Sequence, residues 1–349
     1  MKQRVLLGMS GGIDSSVAAM FLKEQGYEVV GITFIFSGTH KNNESMITDA
    51  GQLADKLNIK HLVVDLQEVF KNTVIKYFKE EYLAGRTPFP CAYCNPQIKF
   101  HYLEEYAKNE NCKLIATGHY VQVKKHNNKK FIYQGVDSDK DQSFFLWGLS
   151  QNLINKLIFP LGDYDKQTIK NYANDRGFFS LSSKKESLGI CFIEGNNYRK
   201  FLEKEGVKSE PGFFIDKNGT ILGKHSGITN YTIGQRHGLG LKLNYPVFVS
   251  EFRLDDNKIV LGKYADLYKN LIRIKNYHFI EKQEIKQGKK YILKVRYRLQ
   301  ETPCEINILD EVRADIVLLK PEAMIANGQT AVFYDGERLI GGGYIESSE

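Results

Sequence analysis

The chain has 349 residues with the composition of a globular protein, which is enough for two or three domains that each bury a hydrophobic core. No apolar run reaches the length of a membrane span, and five cysteines without a preceding signal peptide argue against a disulfide framework and predict a reducing cytoplasmic location. The formal net charge of +7 is compatible with a polyanionic partner such as RNA, although many small-molecule enzymes share such an excess.

The segment Gly8–Ser15, with the sequence GMSGGIDS, follows an apolar strand and opens a helix predicted over Ser15–Gln25, with Gly26 as its stop. Its glycines let the backbone approach a ligand, and its serines add donors beside the helix N-terminus. This combination favours a bound phosphate, yet it is neither a Walker loop nor a Gly-x-Gly-x-x-Gly motif. It resembles the pyrophosphate loop of the ATP pyrophosphatase superfamily, whose members cleave ATP between the α and β phosphates.

Strands and helices then alternate, which predicts an open parallel α/β sheet with right-handed crossovers. Further strands are predicted at Glu28–Ile35, His61–Leu66 and Lys113–Ala116, helices at Ile47–Leu57, Val69–Leu83 and Gln167–Arg176, and a polar loop at Ser37–Asn43. Ligands of such sheets lie beyond the carboxyl ends of the strands. Gly118 and His119, directly after the fourth strand, are therefore expected at the same edge as the glycine-rich loop.

The segment Gly85–Phe100 carries Cys91 and Cys94 at Cys-x-x-Cys spacing and leads into a helix start. A thiol near a helix N-terminus with basic neighbours, here Arg86 and Lys99, can have a lowered pKa and act as a nucleophile. A zinc site lacks a second ligand pair, and a thioredoxin-like pair would need a different context. One cysteine could instead work with a distant thiol. Cys191 lies in a predicted short strand, Leu188–Ile193, where the residues alone favour a structural role.

From about Tyr198 short strands separated by turns predominate, including a hairpin with strands at Val247–Leu254 and Lys258–Leu261. We predict a small β-rich domain and a terminal β-barrel. Lys294, Arg296 and Arg298 alternate along one predicted strand, which fits either a solvated face or an RNA backbone contact. The basic tip of a two-stranded excursion at Val121–Gln134 is interpreted as a solvated turn.

The order of the motifs resembles that of tRNA-specific 2-thiouridylases over essentially the whole chain. The matching segments are Gly8–Ser15, Gly85–Phe100, Thr117–Tyr120, Lys140–Ser143, Gly189–Ile193, Tyr231–Arg236, Arg296–Arg298, Gly328–Tyr334 and Gly341–Gly343. The resemblance implies a Rossmann-like ATP pyrophosphatase domain at 1–204, a β-rich domain at 205–267 and a tRNA-binding barrel at 268–349.

The resemblance also implies the reaction, in which Cys94 and Cys191 are the catalytic thiols. ATP, with Mg²⁺, adenylates the C2 oxygen of the wobble uridine of tRNA, and sulfur from a Cys191 persulfide then replaces that oxygen. Cys94 attacks the persulfide, either releasing sulfide or leaving a Cys94–Cys191 disulfide that a reductant resets. The persulfide would come from a cysteine desulfurase or a sulfur-relay protein.

Family contacts can be carried over to individual residues of this chain. Nucleotide contacts fall on Gly8, Met9, Ser10, Gly11, Gly12, Ile13, Asp14, Ser15, Phe34 and Gly118. Contacts with tRNA fall on Phe89, Pro90, Cys91, His119, Lys140, Asp141, Gln142, Arg296, Tyr297 and Gln329. The target base must leave the anticodon stack, so a pocket for a splayed base is expected.

Three features depart from the family pattern. Phe89 replaces a usual Asn, Cys91 stands where some members have Asp, and the loop after Phe34 is short, with Ser37–His40 in place of an acidic-aromatic string. An iron–sulfur cluster on Cys91, Cys94 and Cys191 is conceivable but not favoured. The residues also leave room for a divergent paralogue with a different RNA substrate or sulfur donor, an amide-forming synthetase, a lysidine synthase or a non-enzymatic RNA-binding protein.

Overall fold

The computed structural model describes residues 2–38, 40–126, 128–179, 189–297 and 301–349. The chain forms two compact units. The first comprises Met1–Val74, Cys91–Phe192 and Glu337–Ile340, and the second comprises Ile75–Pro90, Ile193–Gly336 and Gly341–Glu349. Among the helices of these described ranges, none has the length and apolar character needed to cross a membrane.

The first unit contains a five-stranded parallel sheet and a separate hairpin. Its strands are β1 (Arg4–Gly8), β2 (Glu28–Ile35), β3 (Lys60–Asp65), β4 (Leu114–Ala116), β5 (Val121–His126), β6 (Lys129–Gln134) and β7 (Leu157–Ile158). The sheet order is β3-β2-β1-β4-β7, and every pairing within it is parallel. Strands β5 and β6 form the antiparallel hairpin. The predicted open parallel α/β sheet is confirmed.

Helices connect and cover these strands. In this unit they are α1 (Ile13–Glu24), α2 (His40–Leu57), α3 (Gln67–Phe70), α5 (Pro90–Cys94), α6 (Phe100–Asn109), α7 (Gln151–Ile154) and α8 (Lys166–Asp175), whereas α4 (Lys76–Leu83) belongs to the second unit. Helix α1 ends where Gly26 takes φ +86° and the Tyr27 amide donates to the Leu22 carbonyl, so the predicted glycine stop is confirmed. The core of this unit gathers apolar residues of β1, α1 and α8.

Two local predictions in this unit are wrong. Helix α2 begins at His40, so most of the predicted loop Ser37–Asn43 is helical; Thr39 lies outside the described residues. The segment Gly189–Phe192 forms turns without a strand, and Leu188 is also outside the described part. Within the described ranges the apolar run around Cys191 pairs with no strand, and hydrophobicity by itself cannot supply a pairing partner.

The second unit contains the β-rich sheet and the barrel, together with α9 (Tyr198–Lys204). The sheet strands are β8 (Gly212–Ile215), β9 (Ile221–His225), β10 (Phe248–Arg253) and β11 (Lys258–Gly262), in the order β10-β11-β8-β9. The antiparallel pairing of β10 with β11 confirms the predicted hairpin. Phe214, Val249 and Ile259 are fully buried in the core of this sheet.

The barrel is built by the last six strands. They are β12 (Lys269–Phe279), β13 (Lys290–Lys294), β14 (Thr302–Ile308), β15 (Arg313–Glu322), β16 (Thr330–Asp335) and β17 (Arg338–Ser348). Their order is β12-β15-β14-β13-β16-β17, and β12 also pairs with β17, which closes the barrel as predicted. Strand β13 ends at Lys294, so the predicted continuation of that strand through Arg296 is wrong; Arg298 is not among the described residues.

Barrel closure depends on a glycine. Gly341 pairs with Phe279 and has φ +150°, and a Cβ there would lie 2.2 Å from the His278 carbonyl oxygen. We expect Gly341→Ala to lower the free energy of unfolding by about 3 kcal/mol, because backbone must move to admit the methyl group. Gly51→Ala is the control, since its nearest neighbour would be 3.9 Å away on an ordinary helix. Urea denaturation that gives equal midpoints for both variants would contradict this account.

Candidate active site

The loop between β1 and α1 is closed by its own hydrogen bonds. The Ser10 amide donates to Ser15 Oγ at 3.1 Å, and Ser15 Oγ donates to the Gly12 carbonyl at 3.1 Å. Gly11 has φ +66°, and a Cβ there would lie 2.7 Å from the Met46 carbonyl oxygen. The sequence therefore needs glycine at this position to form the compact turn at the start of α1.

Gly118 brings the end of β4 against the same helix start. A Cβ at Gly118 would lie 2.8 Å from the Asp14 carbonyl carbon and 2.9 Å from the Ser15 amide nitrogen. Gly11 and Gly118 thus both lie in tight backbone contacts near the first turn of α1, where no side chain larger than hydrogen fits. The free amide groups and the helix dipole at this turn favour an anion. This cradle fits the phosphates of a nucleotide.

Asp14, in the first turn of α1, accepts two short hydrogen bonds on one oxygen. Lys166 Nζ donates to Asp14 Oδ1 at 2.6 Å, and Tyr120 Oη donates to the same atom at 2.7 Å. Lys166 Nζ also lies 5.5 Å from the centre of the Tyr120 ring. The Lys166 side chain is only 10% exposed. The Lys166 ammonium group therefore balances the negative charge of Asp14, which is the only acidic residue of the segment Gly8–Ser15.

The predicted contact loop at residues 140–142 joins this network. The Tyr120 amide donates to Gln142 Oε1 at 3.0 Å, and the Gln142 amide donates to the Tyr120 carbonyl at 3.1 Å. Asp141 is buried, and its carboxylate accepts hydrogen bonds from the Gly135 amide and from the amide and hydroxyl of Ser143. Gln142 is thus connected through Tyr120 to Asp14, whereas Asp141 shapes the loop.

Phe34 lies near the carboxyl end of β2 and is 8% exposed. Its ring contacts those of Phe36, Tyr102 and Tyr106, with centroids 5.8 to 6.4 Å apart. The neighbouring Thr33 hydroxyl donates to the Met9 carbonyl at 2.9 Å, which ties β2 to the glycine-rich loop. An aromatic cluster therefore lies at the strand that anchors this loop.

Cys94 lies within a continuous helical run, away from a helix N-terminus. Helix α5 passes into a wider π-helical turn at Asn95–Lys99 and then into α6. Pro96 lacks an amide hydrogen and clashes with an ordinary helical turn, which accounts for the wider turn after Cys94. The Asn95 amide group donates to the Phe145 carbonyl at 3.0 Å and holds this turn in place.

The structure brings Cys91, Cys94 and Cys191 together around Lys99. The pKa of Cys91 is raised to about 11 and that of Cys94 to about 12, mainly by burial, and the charge of Cys191 contributes to both increases. Lys99 lowers the pKa of all three thiols but does not outweigh burial. The expectation of a lowered pKa at Cys94 is therefore wrong for this state, because desolvation disfavours the thiolate.

Cys191 is the exposed member of this group, yet burial is the main cause that raises its pKa. All five cysteines are free thiols. Among the described residues, no three His, Cys, Asp or Glu side chains are placed to hold a metal ion.

His119 is buried and neutral at physiological pH. Its Nδ1 is 2.6 Å from Thr117 Oγ1, and its ring lies between those of Phe100 and Phe159. Burial, with a smaller effect of Lys99, lowers the pKa of His119 well below its usual value. Any contact that this side chain makes with RNA would therefore be a neutral hydrogen bond or a ring contact.

The other predicted RNA contacts belong to the second unit. Gln329 Nε2 donates to the Thr87 carbonyl at 2.8 Å and so holds the segment before the half-buried Phe89 and the buried Pro90. Arg296 Nη2 donates to the Ala323 carbonyl at 3.3 Å, while its buried Nε has no partner within the described ranges. Tyr297 is half-buried beside Arg296.

Comparison with known proteins agrees with this architecture. Residues 3–195 match the model of a tRNA methyl transferase HUP domain, residues 199–263 a PRC-barrel domain of the same series, and residues 269–345 an aminomethyltransferase β-barrel domain. A tRNA-specific 2-thiouridylase from Cytophaga hutchinsonii is 44% identical over 99% of this chain and 98% of its own length. This chain belongs to the tRNA-specific 2-thiouridylase family.

Two further relatives have the same description and similar coverage. A tRNA-specific 2-thiouridylase from Phocaeicola vulgatus is 40% identical over 99% of this chain and 95% of its own length. One from Amoebophilus asiaticus is 41% identical over 99% of this chain and 96% of its own length. Family membership therefore extends over all three matched regions.

Sequence reasoning missed Lys166 and assigned no role to Tyr120. Lys166 lies 152 residues after Asp14, at the first position of α8, and nothing local distinguishes it from other lysines at helix starts. The only sequence signal is the position of Tyr120 directly after Gly118 and His119. Lys99 is visible in the sequence only as a basic neighbour of Cys94.

The ion pair at Asp14 leads to a test of nucleotide binding. We expect Lys166→Met to weaken ATP binding at least tenfold, because it leaves an uncompensated carboxylate beside the phosphates; a bond to a charged group contributes about 1.5 kcal/mol or more. Asp14→Asn in the same chain should restore part of the affinity. Calorimetric titration with ATP measures both, with the exposed Lys23→Met on α1 as control. A double variant that binds no better than Lys166→Met would refute this role.

The thiol cluster leads to a test of pH dependence. Lys99 lowers the pKa of Cys94 and Cys191, so Lys99→Met should raise both values. Below the pKa, each unit of increase reduces the thiolate fraction about tenfold, so alkylation by iodoacetamide at about pH 8 should slow several-fold. Peptide mass spectrometry over a range of pH measures the rates. Lys99→Arg should retain them, and equal rates in Lys99→Met would contradict the electrostatic role.

Proposed function

We propose that this protein is an ATP-dependent tRNA-uridine 2-sulfurtransferase that converts the wobble uridine of tRNA to 2-thiouridine. The observation that carries the proposal is that the first unit contains both a glycine-rich loop suited to phosphate and a cluster of free thiols, Cys91, Cys94 and Cys191. The full-length match to named 2-thiouridylases supports it. An amide-forming synthetase or a lysidine synthase would need the cradle but not the thiols.

In the first stage, the C2 oxygen of the uridine attacks the α phosphorus of ATP and pyrophosphate leaves. The amides of Gly8–Ser15 and Gly118 would bind the nucleotide, with Met9 and Ile13 as backbone contacts and Phe34 beside it. A Mg²⁺ ion would neutralise phosphate charge when bound. Attack converts a poor leaving group into AMP, and the donors of the loop are oriented before the reaction begins.

In the second stage, the terminal sulfur of a Cys191 persulfide is delivered to C2, and AMP leaves with the former oxygen. Attack of Cys94 on the Cys191 sulfur forms a Cys94–Cys191 disulfide in either order of events. If it comes before transfer, it releases sulfide, which then attacks C2; if it comes after transfer, it releases the thiolated uridine. Two electrons from an external dithiol then reduce the disulfide. Lys99 stabilises the thiolate that attacks, and the raised resting pKa keeps the thiols protonated until they are needed.

The RNA contacts and the domain limits remain part of this proposal. Unit 1 would contribute Cys91, His119, Lys140, Asp141 and Gln142, and unit 2 would contribute the remaining residues, namely Phe89, Pro90, Arg296, Tyr297 and Gln329. The domains would be 1–204 for catalysis, 205–267 for the β-rich region and 268–349 for tRNA binding. A cysteine desulfurase or a sulfur-relay protein would supply the persulfide in the cytoplasm.

The direct test is thiolation with purified components. Unmodified tRNA transcript, MgATP and a cysteine desulfurase with cysteine should yield 2-thiouridine, detected by mass spectrometry of nucleosides. We expect Cys191→Ser to abolish the product while AMP release continues, because adenylation does not use that sulfur. Cys112→Ala, which removes a buried thiol outside the cluster, is the matched control.

Each failure has a separate meaning. AMP release stimulated by tRNA without any 2-thiouridine would indicate a paralogue with another product. The absence of stimulation by tRNA would reject the proposal in favour of another ATP pyrophosphatase. Full thiolation by Cys191→Ser would contradict the assignment of the persulfide, while leaving the reaction type intact.

A further inference from the structure

The tip of the β5–β6 hairpin concentrates positive charge. Four of the seven residues from 124 to 130 are lysines, and His126 stands among them. Lys124, Lys125, His126 and Lys129 are exposed, and Lys130 is half-buried. The sequence by itself favours a solvated turn, but the strand register adds information that the sequence lacks.

The register places like charges directly opposite each other. Lys125 on β5 pairs with Lys130 on β6. Directly opposed residues on neighbouring strands have their Cβ atoms about 5 Å apart, and like charges at such positions destabilise the sheet. Burial and the nearby Lys125 both lower the pKa of Lys130. The fold therefore retains an unfavourable electrostatic interaction between Lys125 and Lys130.

The two opposed lysines, Lys125 and Lys130, have no acidic partner among the described residues. In the described part of the chain, no Asp or Glu forms an ion pair with Lys124, Lys125 or Lys130. Lys124 Nζ instead lies 5.2 Å from the centre of the Tyr133 ring. Surface lysines elsewhere in the same unit do have such partners, since Lys60 pairs with Glu110 and Lys156 pairs with Glu104, each at 2.6 Å. The charge of these three hairpin lysines is thus not offset within the described residues.

The β6 side of the hairpin end is held in place by α7 and by Asn155, the residue that follows this helix. Gln151 Nε2 donates to the Lys130 carbonyl at 2.8 Å, and the Lys130 amide donates to Asn155 Oδ1 at 3.3 Å. Phe131 and Ile132, next to Lys130, are buried. The lysines are consequently presented from a fixed backbone, which reduces the entropy lost when they bind a partner.

We propose that Lys124, Lys125 and Lys130, near the end of the hairpin, bind the phosphate backbone of the RNA substrate at a place separate from the reacting base. This inference rests on the proposed function, which makes RNA the substrate. A regularly spaced polyanion would remove the repulsion between opposed lysines and release counterions. Contacts of this kind position the RNA without reading its sequence.

The test measures tRNA binding as a function of salt. We expect Lys124→Gln combined with Lys125→Gln to weaken binding about tenfold at about 0.15 M salt and to reduce the slope of log K against log salt by about 1.5. The apparent KM for tRNA should rise while kcat at saturating tRNA is unchanged. The matched control is Lys60→Gln with Lys156→Gln, which removes the same charge from lysines that already have a carboxylate partner.

A second pair of measurements separates RNA binding from folding. Lys125→Gln should leave the melting temperature unchanged or raise it, because it relieves the repulsion with Lys130. Lys124→Arg with Lys125→Arg should bind tRNA like the wild type. The inference is overturned if the glutamine variant keeps the wild-type salt slope, or if the control loses as much affinity. Failure of the proposed function would be distinguishable, since the wild type would then show no thiolation.

Discussion

The proposed phosphate site depends on how the negative charge of Asp14 is balanced at the start of α1. Asp14 stands in the first turn of α1, where the helix dipole favours a carboxylate but where phosphates would also bind. Lys166 and Tyr120 both donate to Asp14 Oδ1, so the carboxylate is fixed and its charge is offset before any ligand arrives. Through its backbone Tyr120 is also bonded to Gln142. The Asp14–Lys166 ion pair therefore connects α1 with α8, and the hydrogen bonds of Tyr120 join the loop at residues 140–142 to this pair.

In the thiol cluster, Lys99 does not neutralise an existing carboxylate but favours the formation of thiolates. Burial alone would leave Cys94 and Cys191 as poor nucleophiles, and Lys99 opposes that effect without reversing it. A thiol with a pKa well above neutrality is protected from oxidation, because the thiolate is the reactive form. Any step that brings another cation towards Cys94 or exposes it to solvent would lower its pKa and activate it.

Sequence reasoning predicted most features that depend on local pattern, although it missed the helical start at His40. The parallel strands, the glycine stop at Gly26 and the β10–β11 hairpin were predictable because periodicity and turn residues are local signals. The apolar run at Cys191 and the strand through Arg296 were not, because a strand needs a pairing partner that the sequence does not reveal. The pKa of Cys94 was misjudged for a related reason. Its basic neighbours are visible in the sequence, whereas the burial that outweighs them is a property of the folded chain.

The three groups of lysines show how the same side chain is used in different ways. Lys166 is nearly buried and has a carboxylate partner, so its charge serves the organisation of the loop. Lys99 acts on thiols that are neutral at rest, so its effect becomes important only when a thiolate forms. The hairpin places Lys125 opposite Lys130, and in the described chain Lys124, Lys125 and Lys130 have no carboxylate partner. Of the three, only the hairpin arrangement destabilises the free protein, because Lys125 and Lys130 repel each other. A bound polyanion would remove this repulsion, so we infer that these lysines serve to bind a partner molecule.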